Sequence, residues 1–295
     1  MNIKKFKGPI ILLITAFFWG TTFVAQSLGS DYVGPFTYNA GRFLITGIIL
    51  SIICLIRKPR KIETIKSNKW IYIMSILVGV ALFLGATFQQ LGIDITKSSS
   101  KSGFLSSLYI LFVPIIGLLF KKKVSPTICI FLAIALAGSY LISINENFTI
   151  ELGDILTIVC AVMFALQIVL VDQVNPYIDA IKLSAIQFIV AGVLSTIFML
   201  FTEEITFVNI INASPAILYA AIFSGCIAFT LQIVGQKYTE ASVASLIMSL
   251  ESVFALLGGV IILSEDLSLR MIIGCVLIFL AVILSQIDFK KILKK

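Results

Sequence analysis

At 295 residues the chain is long enough for two ordinary soluble domains. Its composition excludes them: 59% of the residues are hydrophobic, 13% are charged and the mean hydropathy is +1.08, whereas soluble proteins carry about 25% charged residues. The net charge of +7 collects at the ends of apolar segments, not on a basic face interleaved with aromatics, so it points to membrane topology and away from nucleic acid.

Ten apolar segments of spanning length follow one another, at about 9–28, 34–56, 70–92, 98–120, 125–144, 152–172, 180–201, 213–236, 240–263 and 268–288. Each is predicted as a helix, because an open strand would leave backbone groups unpaired in hydrocarbon. Segment 1 follows Lys4, Lys5 and Lys7 as a leader peptide would, but it runs for the full length of a span and has a counterpart in the second half. It reads as a retained helix. Trp19, Thr22 and Gln26 form one semi-polar stripe along it at i, i+3 and i+7. Segment 2 carries Arg42, and segment 3 ends in Gln89 and Gln90. Segment 4 opens on SSSKS (98–102), read as a loop and helix cap, and contains Tyr109. AIALAG (133–138) in segment 5 is a small-residue seam, and segment 6 holds Gln167 and, at its end, Asp172, expected to be solvated. Gln187 lies in segment 7 and Gln232 in segment 8. Segment 9 has Thr239 and Ser242 as expected caps, then Glu251, Gly258 and Gly259; segment 10 has Gly274.

The series repeats. At an offset of 143, Thr87, Gln89, Gly92, Thr96, Ser99, Ser102, Ser106 and Ser125 coincide with Thr230, Gln232, Gly235, Thr239, Ser242, Ser245, Ser249 and Ser268. At an offset of 145, Gly8, Ala16, Ala40, Phe43 and Gly47 coincide with Gly153, Ala161, Ala185, Phe188 and Gly192. Segments 1–5 therefore match segments 6–10, giving two units, 1–145 and 146–295.

Basic residues in short loops set the orientation. With the N-terminus in the cytoplasm, that side collects Lys4, Lys5, Lys7, Arg57, Lys58, Arg60, Lys61, Lys66, Lys69, Lys121, Lys122 and Lys123. Lys182, Lys237, Lys290, Lys291, Lys294 and Lys295 join them, against only Lys97, Lys101 and Arg270 on the far side. Glu146, Glu151, Asp154, Glu203, Glu204, Glu265 and Asp266 fall in far-side loops. Both termini are thus expected in the cytoplasm. Because five helices carry the chain across once, the second unit is inverted relative to the first. The expected fold class is an all-α integral membrane protein of ten transmembrane helices in two inverted five-helix repeats, a plan of secondary transporters with a midplane site.

Several stretches resemble the EamA-type branch of the drug/metabolite transporter superfamily. They are AFFWGTTFVAQ (16–26), YNAGRFLITGIIL (38–50), FQQLGIDITKSSSKSGFLSSLYILFVPIIGLL (88–119), FALQIVLVDQ (164–173), IQFIVAGVLS (186–195) and SLESVFALLGGVIILSEDLSLRMIIGCVLIFLAVIL (249–284). The resemblance implies ten helices around a central cavity for small organic metabolites, with amino acid exporters well represented. One departure stands out: family members usually place Pro after the glutamate of segment 9, where this chain has Ser252.

Arg42 and Glu251 are the charges predicted within the membrane, and such residues usually face a cavity or a partner. At 1.5 Å per residue both lie about 12–13 Å below the outer face, so they are expected in one layer, paired or flanking a substrate. Arg42 offers a carboxylate a planar fork of donors, while Glu251 suits a substrate amine, a proton or charge balance. A structural pair locking one repeat to the other fits the same residues. Trp19 and Tyr109 reach the same layer at about 15–17 Å, as ligand contacts or as packing. Thr22, Gln26, Gln89, Gln167, Gln187 and Gln232 complete the expected transport path, with helix–helix glue as their alternative role. Gln187 is the repeat counterpart of Arg42, so the expected cavity is asymmetric in charge.

Histidine is absent, the five cysteines stand alone in apolar runs, and there is no P-loop, G-x-S-x-G elbow or metal-ligand cluster. No catalytic residue, metal or cofactor is therefore expected, and an ATP-driven pump is excluded. The expected activity is secondary transport of a small metabolite, favoured as export of an amino acid or related zwitterion and driven by a proton gradient or the substrate's own. A non-transporting receptor or scaffold is the alternative, with a membrane-embedded enzyme behind it. The expected location is the cytoplasmic membrane of a bacterium, with lipid as the surrounding partner.

Overall fold

The computed structural model describes residues 3–57, 62, 66–96, 99–122, 124–143, 151–262, 264 and 266–286. Lys58, Arg60, Lys61, Lys97, Lys123, Glu146, Glu265 and the C-terminal lysines lie outside them. The described residues form ten helical rods and no strand. They are α1 (Ile3–Gly29), α2 (Pro35–Arg57), α3 (Asn68–Thr96), α4 in two pieces (Ser99–Ser107 and Tyr109–Leu119) and α5 (Pro126–Ser143). Then come α6 (Leu152–Val174), α7 (Ala180–Thr202), α8 (Phe207–Tyr219, a π-helical stretch Ala220–Phe229, and Thr230–Gln236), α9 in two pieces (Ala241–Met248 and Glu251–Ile262) and α10 (Leu269–Ser285). Eight of the rods are long and apolar enough to cross a bilayer; α5 and α10 are apolar but shorter.

The principal packings join the first five rods to the last five. Rod α1 lies against α8 and α9, α6 against α3 and α4, α2 against α7 and α8, α3 against α7, and α5 against α10. Exchanging each rod for the one five places along maps this set of pairs onto itself.

Small residues allow the closest approaches. A Cβ on Gly138 of the α5 seam would meet the Gly274 carbonyl oxygen at 2.6 Å, and one on Gly274 would meet the Ile142 side chain at 2.8 Å. Neither rod can yield without separating from the other. Gly274→Leu is expected to destabilise the protein by at least about 1–3 kcal/mol, the usual cost of overpacking. Thermal unfolding in detergent tests this; an unchanged midpoint would mean that the α5–α10 contact is not tight.

Four polar residues depart from expectation. Glu203, expected in a far-side loop, closes the start of α2: its carboxylate accepts the Phe36 and Thr37 backbone N–H groups, each at 2.8 Å, and the Thr37 hydroxyl at 2.6 Å. A carboxylate at a helix N-terminus satisfies orphan donors and faces the positive end of the helix dipole, which hydropathy does not register. Asp172, expected in solvent, pairs with Lys122 at 2.6 Å, and Asp154, buried in the first turn of α6, pairs with Lys101 at 2.8 Å. Both pairs tie α4 to α6. The fourth departure is Thr239, whose buried hydroxyl has no partner among the described residues; the residue preceding the first piece of α9 is Glu240, without a side-chain cap.

Candidate functional site

Seven rods line a narrow central cavity of about 30 Å³. Of the ten residues predicted for the transport path, Trp19, Thr22 and Gln26 (α1), Arg42 (α2), Gln89 (α3), Tyr109 (α4), Gln167 (α6) and Glu251 (α9) line it. Gln187 and Gln232 do not. Rods α5, α7 and α10 contribute nothing to the lining.

Arg42 is 5% exposed, yet no ion pair joins it to a carboxylate among the described residues. Its Nε donates to Asn39 Oδ1 at 2.9 Å, one helical turn back, and Asn39 is itself anchored by donating to the Ala86 carbonyl at 3.2 Å. The guanidinium carbon lies 4.6 Å from the Phe43 ring centroid and 5.4 Å from that of Tyr38. One edge of the guanidinium is thereby held and the cation is partly compensated by π faces. The terminal nitrogens form no hydrogen bond or ion pair with any described residue, leaving them for an occupant of the cavity.

Glu251 stands at 4% exposure and shares the cavity lining with Tyr109, whose buried hydroxyl has no hydrogen-bond partner among the described residues. Those two residues each begin the second piece of a broken rod. At the break in α4, Leu108 N–H donates to the Leu105 carbonyl and Leu111 N–H to that of Leu108. At the break in α9, Leu250 donates to Ile247 and Ser252 to Ser249. Both are 3₁₀-type turns inside an α-helix, a frequent mark of a hinge or functional position. The α9 break forms without proline, and the Ser252 hydroxyl instead donates to the Gly103 carbonyl of α4 at 3.3 Å. The departure at Ser252 thus replaces a ring by a cross-bundle hydrogen bond.

The amides form two clusters, in the second of which the Gln187 amide nitrogen has no partner among the described residues. Gln26 donates to Gln89 and Gln90 at 3.1 and 3.0 Å, and Gln89 donates on to Ser106 at 3.1 Å. In the second cluster Gln167 donates to Gln187 at 3.1 Å, and Gln232 donates to Gln167 at 3.0 Å. Gln187 and Gln232 therefore stand behind Gln167 and hold its side chain. They do not themselves line the cavity, and their amides bond to Gln167, as inward-facing amides within a bundle commonly bond to each other.

Other lining residues carry no signal in the sequence. Phe23, Phe43, Phe164 and Phe229 give the cavity an aromatic wall, and Ser224 reaches it from the π-helical stretch of α8. That stretch is propped by hydroxyls from the other half. Thr46 donates to the Ala221 carbonyl at 2.8 Å and Thr15 to that of Ala228 at 3.2 Å. Upstream, Ser214 takes the Ile211 carbonyl, at 2.7 Å, that the ring of Pro215 leaves without its N–H. Asn39 was findable: it lies three residues before Arg42, on the same helix face.

Among the described residues no cluster of His, Cys, Asp or Glu could hold a metal ion. The model of the EamA-like transporter family matches the chain twice, at residues 6–144 and 151–286. The chain belongs to this family. It is a multi-pass membrane transporter of the EamA/drug–metabolite class, and its relatives are named transporters, not enzymes. An uncharacterized transporter of Archaeoglobus fulgidus is 32% identical over 287 residues, 97% of this chain and 88% of that protein. The uncharacterized transporters YoaV and YwfM of Bacillus subtilis are 23% and 25% identical over 281 and 283 residues, covering 92% and 93% of this chain. A solved structure at 18% identity superposes with a TM-score of 0.77 over 94% of this chain and 96% of its own, and so shares the fold.

Proposed function

We propose that this EamA-like protein is a secondary transporter that exports a small zwitterionic metabolite, an amino acid or close relative, by alternating access around the central cavity. The observation that carries the proposal is the isolation of Arg42 and Glu251, two buried charges of opposite sign on one cavity with no ion pair between them. A buried charge left without a counter-charge is costly, and the cost is recovered when a ligand supplies it. A zwitterion supplies both. Its carboxylate meets the open edge of the guanidinium and its ammonium meets Glu251 and the Tyr109 hydroxyl.

Two inverted five-helix units with both termini in the cytoplasm are part of this proposal. The double family match supports them, as do the exchange symmetry of the rod packing and the basic loops. Rocking of the units about the cavity would expose it to each side in turn, driven by a gradient of the cargo or of protons.

Proteoliposomes loaded with an unlabelled L-amino acid and supplied with the labelled form outside are expected to show counterflow that an empty liposome lacks. No counterflow with any standard amino acid would overturn the proposed cargo. A reporter fused to either terminus is expected to be active only in the cytoplasm. Opposite locations for the two termini would overturn the inverted arrangement.

A further inference from the structure

We propose that the Trp19 indole N–H is a specificity-determining donor, held open for an acceptor oxygen of the cargo. The inference deepens the transport proposal and rests on it. Trp19 lines the cavity, and its Nε1 is shut off from solvent without a hydrogen-bond partner. Buried N–H groups in native proteins are nearly always paired, so an orphan on a binding cavity calls for an explanation.

No described residue accepts from the indole N–H. The indole ring packs against Phe229 of α8, with centroids 4.7 Å apart, and Phe229 in turn against Phe188 of α7 at 5.3 Å. The polar neighbours along α1 donate elsewhere, and neither accepts from the indole. Thr22 donates to the Phe18 carbonyl at 2.6 Å, and Gln26 is bound to Gln89 and Gln90. On the same cavity the Arg42 terminal nitrogens are donors without a protein acceptor, and the sole carboxylate of the lining is Glu251. The cavity thus holds donors that no described residue accepts from. Its occupant must bring the missing oxygens, and a carboxylate brings two, one for the guanidinium and one for the indole. This makes the carboxylate a second point of recognition, beyond charge: an amine of the same shape would leave both donors buried and unpaired.

Trp19→Phe removes the N–H and keeps an aromatic ring. In binding titrations with each standard L-amino acid, the variant is expected to bind the best wild-type ligand about 10- to 100-fold more weakly, the effect of losing a hydrogen bond to a charged group. The matching decarboxylated amine is expected to bind wild type and variant alike, so discrimination between acid and amine shrinks. Equal affinity of both proteins for the amino acid, or an equal loss for acid and amine, would overturn the inference. A second measurement leaves Trp19 in place. The protein has two tryptophans, Trp19 and Trp70, and Trp70 lies outside the cavity against Tyr177. In Trp70→Phe, saturating amino acid is expected to shift the emission of Trp19, and the amine is not. Emission unchanged under saturating amino acid would also overturn the inference. If wild type binds no amino acid, the transport proposal fails and this one fails with it; if wild type binds and Trp19→Phe binds equally, only this one fails.

Discussion

Arg42→Leu is expected to abolish counterflow while leaving the folded protein as stable as before or more so. Losing one partner of a buried, hydrogen-bonded charge pair costs about 2–5 kcal/mol, which corresponds to roughly 30- to several-thousand-fold in affinity. Stability should respond in the opposite sense. A charge within a spanning helix costs about 2.5–3.5 kcal/mol on insertion scales, and Leu relieves that. Set against the relief is the loss of the hydrogen bond to Asn39 and of the stacking on Phe43, about 1–3 kcal/mol for the orphaned amide oxygen. The two nearly cancel. A structural lock between the halves behaves differently, losing stability and activity together, so measuring counterflow beside the unfolding midpoint separates the two roles. Arg42→Lys sharpens the test. Lysine keeps the charge but not the fork, and cannot both hold Asn39 and meet a carboxylate with two parallel donors. It is expected to retain weak, measurable transport.

Much of this site could be read from the chain before any coordinates. Arg42 and Glu251 are conspicuous because charge is scarce within apolar runs, and rise per residue alone places them at one depth. The ten rods are legible for the same reason: hydrocarbon admits few alternatives to a helix, so hydropathy becomes a geometric constraint. Helix interruptions escape it. The π-helical stretch at Ala220–Phe229 depends on hydroxyls from Thr15 and Thr46, more than 170 positions away in sequence. At the offset of 145 the counterparts of Thr15 and Thr46 are Cys160 and Ala191, which cannot prop a π turn in this way, and the corresponding part of α3 is regular α-helix. The signal was present as an asymmetry between the halves, but only the packing gives it meaning. Phenylalanine is equally mute. With 23 of them in the chain, nothing local distinguishes the cavity wall of Phe43, Phe164 and Phe229 from rings that face lipid, such as Phe201.

The same comparison of halves shows where symmetry is broken. Rod α4 is tied to α6 by an ion pair near each end, Lys101–Asp154 and Lys122–Asp172. The equivalent pairing of α9 with α1 has Ala244, Pro9 and Ser27 at three of the corresponding positions and no such tie among the described residues. Near Glu251 it relies on close contact instead: a Cβ on Gly20 would meet the Glu251 carbonyl oxygen at 2.6 Å. A scaffold built from two similar halves thus holds Tyr109 on a clamped rod and Glu251 on an unclamped one.

Glu251→Gln tests the cationic end of the proposed cargo. The substitution keeps shape and removes charge, so an amino acid should lose a charge-assisted contact worth about 1.5–3 kcal/mol, or roughly 10- to 150-fold in affinity. A second ligand decides what that loss means. The deaminated acid, carrying a carboxylate and no ammonium, should be repelled by Glu251 in the wild type and accepted by Arg42 in the variant. Glu251→Gln is therefore expected to bind the deaminated acid more tightly than wild type does while binding the amino acid more weakly, reversing the order of the two ligands. A merely structural glutamate would weaken both, and one that serves only to balance Arg42 would strengthen both carboxylates together. Opposite movement of the two affinities is the outcome that places Glu251 against the ammonium; parallel movement in either direction removes it from that role.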